Sequence, residues 1–192
     1  MLSEELTGEL AGLRARAVED VEVLHTELYE DVATRVRSDL RPWVPIPFGP
    51  ASPFWVPGLG ANPAAPSEAG TADPDSAIFS VVELATGELA GEALLWAIDL
   101  HNRSAHVGIS LRPAFRGRGL GVDVVPILCR YGFQVRGLRR LQLETLADNH
   151  AMMAVASKLG FTREGMTRNS SWVNGRFCDD VIFGLLAEEF AG

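Results

Sequence analysis

The stretch Leu111-Arg112-Pro113-Ala114-Phe115-Arg116-Gly117-Arg118-Gly119-Leu120-Gly121 decides how the 192-residue chain is read. A strand-like run, Ala105 to Leu111, leads into it. A helical apolar period (Leu120, Val124, Ile127, Tyr131, Val135) leads out. The stretch is therefore a strand-to-helix turn. Its glycines let the backbone fold tightly, so that several amides converge on an anion at the positive end of the helix. A phosphate or pyrophosphate suits such a turn, with the arginines adding charge. Two nucleotide fingerprints are excluded. A P-loop needs a lysine that does not follow here, and G-x-G-x-x-G fails because Gly117 and Gly119 lead to Val122, Gly119 and Gly121 to Val124.

Upstream, Ile78 to Leu84 and Leu89 to Ile98 read as strands around the turn Ala85-Thr86-Gly87-Glu88. With Ala105 to Leu111 they make a three-strand antiparallel meander. Further upstream, Ala11 to Arg16 predicts a short strand. Glu19-Asp20 opens a helix with Val21, Leu24 and Leu28 on one face, and a second short helix over Ala33 to Leu40 stops before Pro42. Downstream, Pro126 sits inside the long helix, where it removes a donor and predicts a kink. Leu141 to Thr145 alternates as a strand, and Asn149 to Leu159 reads as a helix ended by Gly160. Ser170 to Val173, the turn Asn174-Gly175 and Asp180 to Leu186 form a hairpin. The order implies an α+β fold: a mixed, mostly antiparallel central sheet flanked by helices.

Hydrophobic residues make up 47% and charged residues 22%, enough apolar material for one domain spanning 1–192 and too much for a disordered chain. No apolar run approaches the ~20 residues of a membrane span, and the start is acidic, so the chain is expected to be soluble and cytoplasmic, without a membrane partner. Cys129 and Cys178 have neither disulfide-framework nor zinc spacing, so no metal is expected. A net charge of −8 argues against general nucleic-acid binding. The charge is uneven. Residues 1–31 carry nine acids against two arginines, whereas seven arginines from Arg112 to Arg140 face only Asp123, which predicts a discrete anionic ligand there.

Nine of the 11 prolines lie between Pro42 and Pro74, marking an insert at about 41–77 that cannot hold a regular helix or central strand. Its first half carries Trp43, Phe48, Phe54 and Trp55, too aromatic for a plain linker; its second half, Ala61 to Ser76, reads as a mobile loop.

Arg116, Gly119 and Gly121 give R-x-x-G-x-G, which resembles the acyl-CoA pyrophosphate loop of the GNAT superfamily of N-acetyltransferases. Asp148-Asn149 through Ser157-Lys158-Leu159-Gly160-Phe161 is similar to a second segment of that family. Glu164-Gly165, Arg168, Gly175-Arg176 and Asp180, with Leu40-Arg41-Pro42-Trp43, resemble the Rim-type branch, which acetylates ribosomal-protein N-termini. The match covers about residues 78–186 well and 12–44 weakly.

The resemblance implies two neighbouring strands splayed apart to form an acyl-CoA cleft, with acetyl-CoA as the acyl donor and a homodimer as the assembly. It implies that the backbones of Ile109 and Leu111 pair with the pantetheine arm. Arg116, Gly117, Arg118, Gly119, Leu120 and Gly121 would hold the pyrophosphate, and Asn149 would touch the cofactor arm or simply cap its helix. A neutral amine would attack the thioester directly, so a base must take a proton and a donor must meet the thiolate. The family's usual tyrosine and serine donor positions are Ala156 and Met152 here, which leaves Ser157 or solvent as donor.

For the base, Glu92 is the first candidate, with Glu83, His106 and Glu144 also on predicted strands. His101 and His106 lack a third partner for a metal. Trp43, Phe54, Trp55, Trp96 and Trp172 are candidates to line the acceptor side. The acceptor is expected to be a protein N-terminus. The alternatives are a small amine (antibiotic, polyamine or amino-acid derivative), a non-catalytic acyl-CoA-binding module, and an RNA-binding protein using the arginine cluster. The insert is expected to act as a lid over the acceptor.

Overall fold

The structure is a computed structural model, and it describes residues 3–39, 41–56, 59 and 73–191. The first strand, β1 (Ala11–Ala15), is followed by α1 (Val18–Leu24), whose helical path continues in wider turns over His25–Tyr29. Asp31 then caps α2 (Val32–Ser38), its carboxylate accepting from the Thr34 amide at 3.3 Å and the Thr34 hydroxyl at 2.6 Å. Beyond the insert come β2 (Ala77–Glu83), β3 (Leu89–Asp99) and β4 (Ser104–Leu111). α3 (Leu120–Arg130) contains Pro126 and runs on through Tyr131–Val135. β5 (Arg140–Leu146), α4 (His150–Lys158), β6 (Thr162–Val173) and β7 (Arg176–Leu186) complete the chain.

The seven strands form one sheet in the order β1-β2-β3-β4-β5-β7-β6. All neighbours are antiparallel except β4 and β5, which run parallel. The expected meander is therefore present and is extended at its edge by β1, whose Leu13 lies opposite Val81. The Asn174-Gly175 turn has positive φ at both residues (49° and 83°), the geometry that suits a two-residue hairpin. One expectation falls short: β6 begins at Thr162, well before Ser170. Among the described residues this strand pairs only with β7, and its first half shows solvent a polar surface, so no apolar alternation marks it in the sequence.

Two apolar clusters cover the two faces of the sheet. On one, Ala93, Leu95, Val107, Leu141 and Leu143 pack with Leu120, Val124, Ile127 and Leu128 of α3 and Ala156 of α4. On the other, Val21, Leu24, Leu28 and Tyr29 pack with Phe54, and Trp43, Ile46 and Trp55 lean against them. The aromatic half of the proline-rich insert is thus a docked wall: Trp43 Nε1 donates to the Tyr29 carbonyl at 2.9 Å and Tyr29 Oη to the Val44 carbonyl at 2.6 Å. Most of the segment expected to be a lid, 57, 58 and 60–72, lies outside the described residues, as does Leu40. Among the described residues no helix is long and apolar enough to cross a membrane.

Candidate active site

The parallel pair β4–β5 holds for three steps only, Ser104 with Arg140, Ala105 with Leu141 and His106 with Gln142. Both strands then continue, β4 paired with β3 as far as Leu111 and β5 with β7 as far as Leu146. The two halves of the sheet part beyond His106 and Gln142, and a fork opens between them. The Arg112 amide donates to the Ala90 carbonyl at 2.9 Å. Ladder groups in an antiparallel pair alternate, so the amides and carbonyls of Ile109 and Leu111 face away from β3, into the fork. They are the expected pantetheine-pairing groups. The Leu111 carbonyl accepts from Arg116 Nε at 2.9 Å.

At the wide end of the fork sits the glycine turn. Gly117 (φ 72°) and Gly119 (φ 84°) occupy the left-handed region, where a side chain is strained, and Gly119 is the N-cap of α3. The Val122 amide bonds back to the Gly119 carbonyl at 3.1 Å. The amides of Leu120 and Gly121 come before any intrahelical acceptor is available, so they point out of the helix end. A Cβ built on Gly117 meets nothing within 4 Å, and one on Gly121 meets only Val155 Cγ2, at 3.9 Å. This open, amide-lined turn fits a pyrophosphate. The Leu120 side chain is buried at 1% exposure, so that residue offers only its backbone.

The arginines behave differently from the expectation of a free cationic patch. Arg112 grips Glu27 (Nε to Oε2 2.9 Å, Nη2 to Oε1 2.5 Å), and Arg118 pairs with Glu83. Both guanidiniums lie 5.1 Å from the Phe115 ring centroid, so the buried phenyl is in contact with two cations. Arg116 reaches Thr34 Oγ1 at 3.3 Å as well as the Leu111 carbonyl. Arg130 and Arg136 donate to the carbonyls of Glu5 and Pro74, and Arg140 binds Glu164. The cluster read from the sequence is therefore dispersed among acids and carbonyls from distant parts of the chain. An anion at the turn would be met mainly by backbone amides, with Arg116 and the half-exposed Arg118 beside them.

Asp123, the one acid in that basic stretch, accepts from the amides of Glu9, Leu10 and Ala11 at 3.0, 2.9 and 2.8 Å. It clamps the N-terminal segment against the first turn of α3. The sequence carried a signal for it, a lone acid amid arginines. Nothing in the sequence marked its partners.

α2 crosses the mouth of the fork. Its Thr34 meets Arg116 on the β4 arm, while its Arg37 meets Asp148 just beyond β5 at 2.6 Å. Arg176 reaches the same carboxylate at 3.3 Å. The Arg37 hydrogen bond, with the charges of Arg37 and Arg176, holds the Asp148 carboxyl below the usual carboxylate range. Next to it, Asn149 caps α4: its Oδ1 accepts from the Met152 amide at 3.2 Å and its Nδ2 donates to Thr145 Oγ1 at 2.9 Å. Both ends of this side chain are engaged within the protein.

Of the two residues expected to move protons, Glu92 lies on the α1 face of β3, 13% exposed, with Oε2 accepting from Arg16 Nη2 at 3.0 Å. The Arg16 side chain is fully buried and also donates to Ser80 Oγ and to the Phe54 and Phe79 carbonyls. Ser80 Oγ in turn donates to Asp20, which grips Arg14. Glu92 is thus the end of a buried ionic chain. Ser157 is exposed on α4, beside buried Ala156, on the opposite side of the sheet from Glu92. Glu83 is held by Arg118, while His106 and Glu144 face each other at the fork, Nδ1 to Oε1 3.7 Å. Of the expected acceptor-side aromatics, Trp96 stacks on His106, and Trp172 projects with Phe177 from the far hairpin. Among the described residues no group of His, Cys, Asp or Glu has metal-binding geometry. Burial pushes the Cys129 thiol up to about 12.

The profile of the acetyltransferase (GNAT) domain family matches residues 12–162. The uncharacterized N-acetyltransferase p20 of Bacillus licheniformis is 31% identical over 114 residues, 59% of this chain and 64% of that protein. The putative ribosomal N-acetyltransferase YdaF of Bacillus subtilis is 32% identical over 106 residues, 55% of this chain and 58% of that one. A spermidine N(1)-acetyltransferase of Escherichia coli K12 is 32% identical over 104 residues, 54% of this chain and 56% of that one. The chain thus spans less than two thirds of the length of these curated relatives. The crystal structure of spermidine N-acetyltransferase from Vibrio cholerae in complex with CoA and spermine has the same fold, with a TM-score of 0.73 at 18% identity over 95% of this chain and 99% of that one. With the fork, the glycine turn and a profile match across most of the sequence in agreement, the chain belongs to the GNAT acetyltransferase family.

Proposed function

We propose that this protein transfers an acetyl group from acetyl-CoA to a primary amine, and that the amine attacks directly while both substrates are bound. The observation that carries this is the fork: unpaired backbone edges of β4 and β5 lead to an open, amide-lined helix start. Ile109 and Leu111 would hold the pantetheine arm through their backbones. The turn from Arg116 to Gly121 would hold the pyrophosphate, and Asn149 would fix the start of α4 beside it. The acyl donor supplies the activated carbonyl.

For the acceptor we favour a small primary amine. The support is the match to a spermidine N(1)-acetyltransferase and the likeness in fold to one seen with spermine. α2 adds to it, because a helix tied to both arms narrows the mouth of the fork, where an extended peptide would need an open groove. The protein N-terminus remains the second reading, favoured by the match to a putative ribosomal N-acetyltransferase. The reading includes a homodimer and a cytoplasmic location.

Labelled acetyl-CoA offered with spermidine, aminoglycoside-like amines and peptides with free N-termini tests the reading. Label in the small amines supports it; label only in peptides replaces the acceptor; binding without transfer to any amine overturns the enzymatic reading in favour of an acyl-CoA-binding module. For the cofactor site, Gly119→Glu places charge and bulk at the N-cap of α3. Acetyl-CoA binding should fall at least about tenfold, as a lost interaction of about 1.4 kcal/mol would give. Unchanged binding in calorimetric titration would mean that the turn is misassigned.

A further inference from the structure

At the point where β4 and β5 part, His106 and Gln142 are the last paired residues, and Glu144 lies one step outward on the same face as both. The His106 ring stacks on Trp96, with centroids 4.3 Å apart and planes tilted by 34°. Its Nδ1 is buried without a hydrogen-bond partner and points at Glu144 Oε1, 3.7 Å away. The side chain as a whole keeps 27% exposure. One ring nitrogen is therefore enclosed against a carboxylate while the rest of the ring remains reachable from the α1 side of the fork. Glu144 does not stand alone: Gln142 Nε2 donates to it at 2.5 Å, Arg140 donates to Gln142 Oε1 at 3.1 Å, and Arg140 is paired with Glu164 of β6.

We infer that His106 accepts the proton of the incoming amine, with Glu144 as its positioning residue. The inference rests on the acetyl-transfer reading above. It gives a role to the imidazole at the point where β4 and β5 part and relieves Glu92, which Arg16 already holds. A carboxylate facing Nδ1 selects the tautomer with its proton there and leaves the Nε2 lone pair free. Apo hydrogen bonds in active sites are often long and tighten once the reacting groups are in place. The charged groups that bear on the ring are Glu144 and Arg140 on β5, with Glu164 of β6 neutralising Arg140. Burial pushes the ring's pKa down, Glu144 pulls it up and Arg140 pushes it down, for a net value below the usual histidine range. The ring is thus neutral at neutral pH, the form an acceptor needs.

The step balances. The ammonium gives one proton to Nε2, and the freed amine lone pair forms the C–N bond at the thioester carbonyl carbon. The C–S bond breaks with its electron pair on sulfur, the sulfur takes the second proton from nitrogen, and His106 returns its proton to water.

The test joins kinetics to nitrogen NMR of the ring, with spermidine and a free-N-terminus peptide as probe amines. His106→Gln should lower kcat/KM by about 10²–10⁴-fold with acetyl-CoA affinity unchanged. Glu144→Gln should cost less and move the acid limb of the pH profile to lower pH, because loss of the carboxylate lowers the ring's pKa further; Glu144→Asp should restore part of both. In the wild-type chain at pH 7 the ring should carry its single proton on Nδ1, and Glu144→Gln should abolish that preference. Wild-type kcat/KM in His106→Gln, an acid limb indifferent to Glu144, or a ring protonated on Nε2 overturns the assignment. Should His106→Gln fail to fold, the Glu144 variants and the ring spectrum decide. A wild-type chain that binds acetyl-CoA and labels neither amine defeats the acetyl-transfer reading instead, and the ring spectrum still reports on the pair.

Discussion

Single residues at the fork carry more than their chemistry suggests. Gly91 lies opposite Leu111, and a Cβ there would overlap the Ser110 carbonyl oxygen and stand 2.9 Å from Leu111 Cα. Its neighbours are backbone and cannot swing aside. Gly91→Ala should therefore displace the β4 arm, lowering stability by about 1–3 kcal/mol and weakening acetyl-CoA binding. Urea unfolding and calorimetric titration read both, and an unaltered midpoint with unaltered affinity would show that the arm tolerates the shift. Asp123 makes the converse case, since it adds bonds where glycine avoids overlap. Asp123→Ala removes the shared acceptor of three backbone amides and should cost about 2 kcal/mol. Asp123→Asn keeps one acceptor oxygen and should lose less in the same urea experiment.

At the scale of elements, β1, α1, β2, β3 and the docked insert are joined by the chain Arg14–Asp20–Ser80–Arg16–Glu92. Arg16→Ala would leave the Glu92 carboxylate and two carbonyls without their donor, an expected loss of about 3–5 kcal/mol. Pairing it with Glu92→Gln removes the orphaned charge and should recover part of that loss; an additive double variant would mean that the two residues do not interact. The same chain sets a pH dependence. Burial pushes the Asp20 carboxyl up, but Arg14, the Ala17 amide and Ser80 outweigh it and hold it below the usual range. Asp39 follows the same balance against Arg41 and Arg35. The folded state binds these protons less readily than the unfolded chain, so the stability they give is full above about pH 4 and is lost as pH falls through the lowered values. Urea midpoints taken from pH 7 down to pH 3 should fall, with a shallower fall in Asp20→Asn. α1 was legible from its first-turn acids and helical spacing, and α2 from its stop before Pro42, whereas this ionic chain was not: Ser80 and Glu92 come beside Arg14, Arg16 and Asp20 only once β1, β2 and β3 pair.

For the whole molecule, β6 is one of the two edge strands of the sheet, and the tip of its hairpin presents Trp172 and Phe177, 62% and 60% exposed with ring centroids 4.9 Å apart. Long exposed edges and apolar tips are surfaces that association covers. If the homodimer forms here, Trp172→Glu combined with Phe177→Glu should convert it to monomer in sedimentation velocity without lowering the melting temperature. A wild-type chain that sediments as a monomer rejects the dimer, and a variant that stays dimeric places the interface elsewhere.

The sequence by itself determined the strand-turn-helix at Leu111–Gly121, the meander before it, the Asn174-Gly175 hairpin and the α+β order, because each is written in periods and turn residues a few positions apart. The family followed from motifs of the same short reach. Tertiary structure alone decided which charges are free. The arginines from Arg112 to Arg140 looked like one cationic cluster until Glu27, Glu83 and Glu164, remote in sequence, were brought to them. It also decided that half of the proline-rich insert is a docked wall, that Thr162 to Asn169 is strand, and that Glu92 answers to Arg16 while His106 faces Glu144. The physical reason is common to all of these. Hydrophobic period and turn geometry act over a few residues, whereas ion pairs, edge pairing and burial depend on partners that only the closed sheet sets side by side.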